Sequence, residues 1–167
     1  TNILNLAKVA NRPVIFPASY RTQKMIKFFG LEMPSNVIQV DPVGYLELLE
    51  LMCASQGVLT DSGTVVEEAA ILGIPSIQMR SSTERFQVYT CGASIKYDPV
   101  SQPDHKITID KLLALRNAPW QHPFGDGRAS YRIVDDLVKR YRNNDFSGHH
   151  KSKFEPFSLK SYGSEDL

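Results

Sequence analysis

The chain has 167 residues, 42% of them hydrophobic, which suffices for the core of one globular domain. Its 19 lysines and arginines nearly balance 18 aspartates and glutamates, so bulk attraction to nucleic acid or an anionic membrane is excluded. The longest apolar runs, Val14–Ala18 and Ala69–Pro75, fall far short of the roughly 20 residues of a membrane span. Cys53 and Cys91 are too few for a disulfide framework. A soluble, cytoplasmic protein is expected.

Helical and strand patterns alternate from residue 3 to residue 97. The predicted elements are a helix at 3–10, a strand at 14–16, a helix at 20–29, a strand at 37–40, a helix at 45–54, a strand at 57–60, a helix at 64–72, a strand at 75–79, a helix at 84–91 and a strand at 94–97. Strands separated by helices imply right-handed crossovers and a parallel sheet covered on both faces. The predicted fold class is therefore α/β, with a Rossmann-like, doubly wound sheet.

The pattern changes after Asp98. Residues 99–106 are predicted to form a loop, and helices follow at 107–116 and 129–141 without a further strand. Residues 143–167 mix serine, glycine, lysine, histidine and phenylalanine without a period, which is typical of an irregular tail. We therefore expect a domain over residues 1–142 and a C-terminal tail over residues 143–167.

The turn between the strand at 57–60 and the next helix is the strongest candidate for a ligand site. Asp61, Ser62 and Gly63 lie where that helix begins. Ligands of open α/β sheets bind at the carboxyl ends of strands, and a helix N-terminus offers free N–H groups to an anion. Ser62 and Gly63 are thus candidates to hold a phosphate. The alternative is ordinary helix capping, which uses the same residue types.

Two adjacent carboxylates follow on the same helix. Glu67 and Glu68 are about 100° apart around the helix axis, so at most one of them faces the ligand of Ser62 and Gly63. A carboxylate one turn from a phosphate is suited to accept the two hydroxyls of a ribose. The alternative is that both simply interact with the helix dipole.

Three motifs in this order resemble one enzyme family. They are Leu59-Thr-Asp-Ser-Gly-Thr-Val-Val-Glu-Glu-Ala-Ala-Ile-Leu-Gly-Ile-Pro75, Met79-Arg-Ser-Ser-Thr-Glu-Arg85 and Pro123-Phe-Gly-Asp-Gly127. Together they resemble the C-terminal domain of the non-hydrolysing UDP-N-acetylglucosamine 2-epimerases, over about residues 3–141. The resemblance implies one half of a GT-B-like fold, with a UDP-sugar bound between two Rossmann-like domains.

The resemblance also implies a reaction. Family members interconvert UDP-GlcNAc and UDP-ManNAc, for polysaccharide biosynthesis, by eliminating UDP across the C1–C2 bond and adding it back. The reaction uses no cofactor, and no metal is expected here, because the four histidines are not spaced as paired ligands. Full-length members are commonly homodimers whose contacts draw on the N-terminal domain, so a dimer of this chain alone is not predicted.

The family's binding residues map onto several positions of this chain. By resemblance, Ser62 and Gly63 hold the diphosphate and Glu68 the ribose hydroxyls. Val43 and Tyr45, in the segment Asp41-Pro-Val-Gly-Tyr45, correspond to the uracil loop. For Tyr45 and Leu48, packing of the helix is an equally good interpretation. The remaining expected contacts to the diphosphate come from Arg80 and Arg85, whereas Glu84 is better explained by an internal pair with an arginine.

The chain also departs from the family pattern. The His-Arg-Arg-Glu signature expected just before Thr1 is absent, and so are the carboxylates that act as acid and base in the N-terminal domain. No catalytic residue is therefore predicted in this chain, and alone it is expected to be inactive. Phe86-Gln87 replaces the usual Pro-Glu, which indicates a subgroup with a different sugar.

Three other functions remain as alternatives at this point. The same nucleotide contacts would serve a UDP-sugar glycosyltransferase of the GT-B type. A hydrolysing epimerase would release the free sugar and UDP. A non-catalytic nucleotide-binding domain would need no further segment. The motifs at 83–85 and 123–127 favour the epimerase over the transferase.

Overall fold

The computed structural model describes residues 2–98 and 104–145. Its elements, in chain order, are α1 (Asn2–Val9), β1 (Val14–Pro17), α2 (Tyr20–Phe28), β2 (Val37–Val40), α3 (Tyr45–Ala54), β3 (Val58–Thr60), α4 (Gly63–Ile71), β4 (Ser76–Gln78), α5 (Gln87–Thr90), β5 (Ser94–Lys96), α6 (His105–Leu115) and α7 (Ala129–Arg142). This alternation confirms the predicted α/β class. None of these helices combines the length and the hydropathy of a membrane span.

All pairs between these strands are parallel, but they form two sheets instead of the single sheet predicted. One sheet has the order β1-β2 and the other has the order β3-β4-β5. A cavity of about 820 Å³ is lined by residues of both β1 and β3. Hydrophobic patterns identify strands but do not specify which edges pair, and this explains the difference.

The three-stranded sheet is buried on both faces. Ile77 of β4 packs with Leu6, Tyr97, Ile109 and Leu112 on the side of α1 and α6. A second cluster on the side of α4 and α5 joins Val66, Ala70, Val88 and Ala93. The α4 helix is thereby fixed against the sheet, with its first residue at the carboxyl end of β3.

Local side-chain hydrogen bonds shift two helix boundaries from their predicted positions. The Asp104 carboxylate accepts a hydrogen bond from Ile107 N–H at 3.0 Å, so α6 begins at His105, inside the predicted loop. Conversely, α5 spans only Gln87–Thr90. The Thr83 hydroxyl accepts the Arg85 N–H at 3.1 Å, and this local turn delays the start of the helix.

The chain divides into two compact units, Thr1–Phe124 and Gly125–Leu167. In the second unit, the Asp126 carboxylate accepts hydrogen bonds from Arg128 N–H at 3.1 Å and from both terminal nitrogens of Arg132 at 2.8 and 2.6 Å. Gly125 and Gly127 have φ values of +82° and +75°. Residues 125–127 therefore form a tight turn before α7. The predicted boundary at residue 142 stays a prediction, since residues 146–167 lie outside the described ranges.

Replacing Asp104 with alanine should lower the free energy of unfolding by about 1 kcal/mol, the usual cost of losing an N-cap. Urea denaturation followed by circular dichroism measures the change. Asp110→Ala is the matched control, because it removes only the exposed pair between Lys106 Nζ and Asp110 Oδ1, 2.5 Å apart. Exposed pairs of this kind contribute about 0.3–0.5 kcal/mol. Equal losses for both variants would contradict the capping role of Asp104.

Candidate phosphate-binding site

The site begins with the turn between β3 and α4. Ser62 is the N-cap of α4, and its hydroxyl oxygen accepts a hydrogen bond from Val65 N–H at 3.4 Å. Ser62 therefore does cap the helix. Its O–H can still donate to a ligand, because capping uses only a lone pair of the oxygen. Gly63 is the first residue of α4 and has no side chain to block an approaching ligand. An anion at this helix end meets free N–H groups and the positive end of the helix dipole.

Two arginines converge on this turn from the loop after β4. A methyl group placed on Gly63 would lie 2.9 Å from Glu84 Oε1, 3.4 Å from Arg85 Cγ and 3.6 Å from Arg80 Nη1. The structure therefore brings together Gly63, Arg80 and Arg85, three of the predicted contacts to a diphosphate. Cationic side chains beside a helix N-terminus add to its attraction for phosphate.

Each arginine is paired with a carboxylate. Arg80 Nη1 donates to Glu84 Oε2 at 3.4 Å, which is the internal pair predicted for Glu84. A hydrogen bond from its own backbone N–H, together with the charges of Arg80 and Arg85, lowers the pKa of Glu84. Arg85 Nε lies 3.0 Å from Glu67 Oε1 on the second turn of α4. Sequence reasoning gave Glu67 no role at the site.

Glu68 turns to a different neighbour. The Tyr45 hydroxyl lies near its carboxylate, and hydrogen bonding with Glu68 together with its negative charge raises the pKa of Tyr45 above its ordinary value. Tyr45 is 61% exposed, so packing in the core does not explain it. Leu48, by contrast, packs against the cluster of Met52, Ala69 and Ile74. The packing interpretation therefore holds for Leu48 but not for Tyr45, which lies on the surface near Glu68.

Val43 lies in the loop between β2 and α3, which faces the β3–α4 turn across the large cavity. This cavity is lined by Pro42 and Val43 from one side and by Thr60 and Asp61 from the other. Loops at the carboxyl ends of two strands thus border one opening, as expected for ligand sites in parallel sheets. Val43 lines this cavity, whereas Ser62 and Gly63 do not.

A hydrogen bond between a buried glutamine and a tyrosine, near the loop after β4, was not predicted. Gln78, at the carboxyl end of β4, is fully buried, and its Oε1 accepts a hydrogen bond from the Tyr89 hydroxyl of α5. Burial raises the pKa of Tyr89, while the charge of Arg80 lowers it. The only sequence signal was a glutamine in an apolar strand pattern, and such a signal does not identify its partner.

In the described part of the chain, no group of three or more His, Cys, Asp and Glu residues is placed to hold a metal ion. His105 and His122 are half-buried. The His105 ring lies 6.0 Å from that of Tyr97, and the His122 ring stacks on Phe124 at 6.3 Å. His149 and His150 lie outside the described residues.

Comparison with known proteins gives a consistent result. The family model described as UDP-N-acetylglucosamine 2-epimerase matches residues 2–138. The UDP-N-acetylglucosamine 2-epimerase of Methanococcus maripaludis is 34% identical over 139 residues, which cover 81% of this chain and 37% of the relative. A UDP-2,3-diacetamido-2,3-dideoxy-D-glucuronate 2-epimerase of Pseudomonas aeruginosa is 44% identical over 136 residues, covering 81% of this chain and 38% of the relative.

A solved structure shows the same fold. The Methanocaldococcus jannaschii UDP-GlcNAc 2-epimerase in complex with UDP-GlcNAc and UDP superposes with a TM-score of 0.67 at 34% identity, over 82% of this chain and 38% of that chain. The chain thus spans less than two fifths of the length of the relatives it matches. The matched region contains all the predicted binding residues, from Val43 to Arg85. On this evidence the chain belongs to the UDP-N-acetylglucosamine 2-epimerase family.

Proposed function

We propose that this chain is the UDP-binding part of a UDP-sugar 2-epimerase. The observation that carries the proposal is the convergence of Arg80 and Arg85 on Gly63, at the N-terminus of α4. This arrangement suits a diphosphate, with Ser62 and Gly63 donating to its oxygens and the arginines neutralising its charge. Glu68 then meets the ribose, and the loop that contains Val43 and Tyr45 meets the uracil.

The diphosphate is the leaving group of the proposed reaction. Elimination across the C1–C2 bond of the sugar breaks the C1–O bond while a base removes the C2 proton, and the electron pair forms the C1–C2 double bond. A site that stabilises the negative charge developing on UDP lowers the barrier to that step. Re-addition of UDP after protonation of C2 on the other face gives the epimer. The residues of this chain stabilise the negative charge on UDP, and none of them is proposed as the base.

UDP-GlcNAc and UDP-ManNAc are the proposed epimer pair. A second candidate is a UDP-2,3-diacetamido-glucuronate, favoured by the 44% identity with the Pseudomonas aeruginosa enzyme. The Phe86-Gln87 segment, which departs from the usual Pro-Glu, fits a subgroup with another sugar. Phe86 is 62% exposed beside Arg85, so its ring is available to a sugar at the diphosphate end of the site. Comparing turnover of both nucleotide sugars by the full-length protein discriminates the two.

The full activity requires polypeptide beyond these residues, and we propose that it contributes a strand. Within the described residues β1 pairs only with β2, and β3 only with β4. The unpaired edge of β1 and the unpaired edge of β3 both border the cavity of about 820 Å³. A parallel strand placed there would pair with both edges and join the two sheets.

The remaining proposals follow from this function. Neither Cys53 nor Cys91 forms a disulfide, which fits a reducing compartment such as the cytoplasm. The reaction needs no cofactor, because elimination and re-addition restore the same oxidation state. A homodimer is proposed only for the full-length protein. The tail at 143–167 is proposed to be separate from the UDP-binding domain at 1–142.

We expect the 167-residue chain to bind UDP but not to exchange the C2 proton of UDP-GlcNAc. Elimination needs a positioned base, and such groups contribute about 10²–10⁴-fold to rates. Incubation with UDP-GlcNAc in D₂O, followed by NMR of the sugar, measures the exchange. The full-length protein is the positive control. Deuterium at C2 with the chain alone would show that a complete catalytic set lies within these residues.

A further inference from the structure

Glu67 holds Arg85 in a fixed position beside Gly63. Its Oε1 lies 3.0 Å from Arg85 Nε, and the two side chains are only 25% and 38% exposed. Arg85 Nε is itself shielded from solvent and makes no hydrogen bond with the described residues, so its contact with Glu67 is an ion pair. An arginine this close to a helix N-terminus would otherwise be free to turn to solvent.

The backbone of Arg85 is held as well. Its N–H donates to Thr83 Oγ1 at 3.1 Å, which fixes the start of the side chain. Arg85 Cγ would lie 3.4 Å from a methyl group on Gly63, so the stem of the side chain lies against the first turn of α4. The arginine is therefore fixed at its backbone, its stem and its Nε.

This arrangement leaves the far end of the guanidinium available. Arginine has five N–H donors in a planar fork, one on Nε, which lies beside Glu67, and four on the two terminal nitrogens. The two terminal nitrogens make no hydrogen bond with any residue that the structure describes. Four N–H donors thus remain for the oxygens of a diphosphate, in a geometry set before the ligand arrives. Such preorganisation improves affinity because less side-chain freedom is lost on binding.

We propose that Glu67 is a positioning residue, which orients Arg85 for the diphosphate while Glu68 meets the ribose. The inference rests on the proposed UDP site and assigns its two adjacent carboxylates to different parts of the ligand. Charge alone predicts the reverse effect, because a carboxylate near Arg85 offsets part of its attraction for phosphate. Weaker UDP binding after removal of the Glu67 charge therefore indicates positioning, whereas tighter binding indicates simple charge balance.

The test compares UDP and uridine as ligands of the 167-residue chain by calorimetric titration. Glu67→Gln keeps the shape of the side chain and removes its charge. We expect UDP affinity to fall threefold to tenfold and uridine affinity to stay the same. In the Arg85→Ala background the same substitution should change nothing, because Glu67 acts through Arg85. Asp110→Asn, which removes an exposed pair on α6, is the control and should leave both affinities unchanged.

Three outcomes would overturn the inference. They are unchanged or tighter UDP binding by Glu67→Gln, an equal loss for uridine, and a loss that persists in the Arg85→Ala background. A structural role would produce the last two, since it lowers affinity for every ligand. If the wild-type chain binds UDP no better than uridine, the proposed function itself fails. That failure is distinguishable from failure of the inference, because it is measured with the wild-type chain.

Discussion

Replacing Gly63 with alanine should weaken UDP binding about tenfold to a hundredfold while leaving uridine affinity unchanged. The added methyl group would lie 2.9 Å from Glu84 Oε1 and 3.4 Å from Arg85 Cγ, in the space where a phosphate approaches the α4 N–H groups. Hydrogen bonds to charged groups contribute about 1.5–3 kcal/mol each, and 1.4 kcal/mol corresponds to a tenfold change. Loss of one such bond therefore accounts for the expected effect. Calorimetric titration with both ligands measures it.

The same substitution should leave the fold intact. Gly63 does not have a positive φ, so alanine fits the backbone without strain. Its nearest new neighbour is the end of the flexible Glu84 side chain, which can move aside. The free energy of unfolding, from urea denaturation, should change by less than about 1 kcal/mol. Undiminished UDP affinity in a folded Gly63→Ala protein would mean that the phosphate binds elsewhere.

Glu68→Gln should weaken UDP binding by roughly tenfold and remove the preference for ribose hydroxyls. A carboxylate that accepts two hydroxyls makes charge-assisted bonds worth about 1.5–3 kcal/mol, which the amide does not replace. The matched ligand is 2′,3′-dideoxy-UDP, which lacks both hydroxyls. The wild-type chain should prefer UDP over this ligand, and the Glu68 variant should bind the two almost equally. Calorimetric titrations give the ratio of the two affinities.

Glu67→Gln is the matched control for that ratio. Glu67 contacts Arg85, whereas Glu68 contacts Tyr45, so the two carboxylates point to different parts of the site. The Glu67 variant should therefore keep the wild-type preference for UDP over the dideoxy ligand, even where its affinity for both is lower. Interaction with the helix dipole alone predicts equal, small losses of stability for both variants and no change in either ratio. Equal affinities of the wild-type chain for the two ligands would refute the ribose assignment.

The elements of this fold were predictable because local signals specify them. Gly30 and Gly73 follow α2 and α4 with φ values of +58° and +74°, a conformation that glycine adopts readily at helix ends. Strands of three or four residues were recognised from apolar runs between helices. Their pairing was not predicted, because the division into two sheets reflects the lack of pairing between β1 and β3 in the described residues, which no local pattern encodes. Asp104 also shows that one capping residue moves a boundary that periodicity places only approximately.

The candidate site was predicted in part for a similar reason. Ser62, Gly63 and Glu68 lie on one turn and its helix, so their spacing alone brings them close together. The pair between Glu67 and Arg85 joins residues from α4 and the loop after β4, and only tertiary structure reveals it. The burial of Gln78 against Tyr89 is likewise a tertiary contact. Sequence reasoning therefore identifies the ligand-facing turn more readily than the residues that support it from neighbouring elements.

The central claim is that the N-terminus of α4 holds the diphosphate of UDP. Two-dimensional ¹H–¹⁵N NMR of the 167-residue chain, titrated with UDP and then with uridine, tests it most directly. With UDP, the backbone amides of Ser62, Gly63 and Thr64 should show the largest shifts, together with the side-chain signal of Arg85. With uridine these amides should shift little, while the loop around Val43 still responds. UDP-induced shifts elsewhere in the chain, with the start of α4 unchanged, would contradict the account.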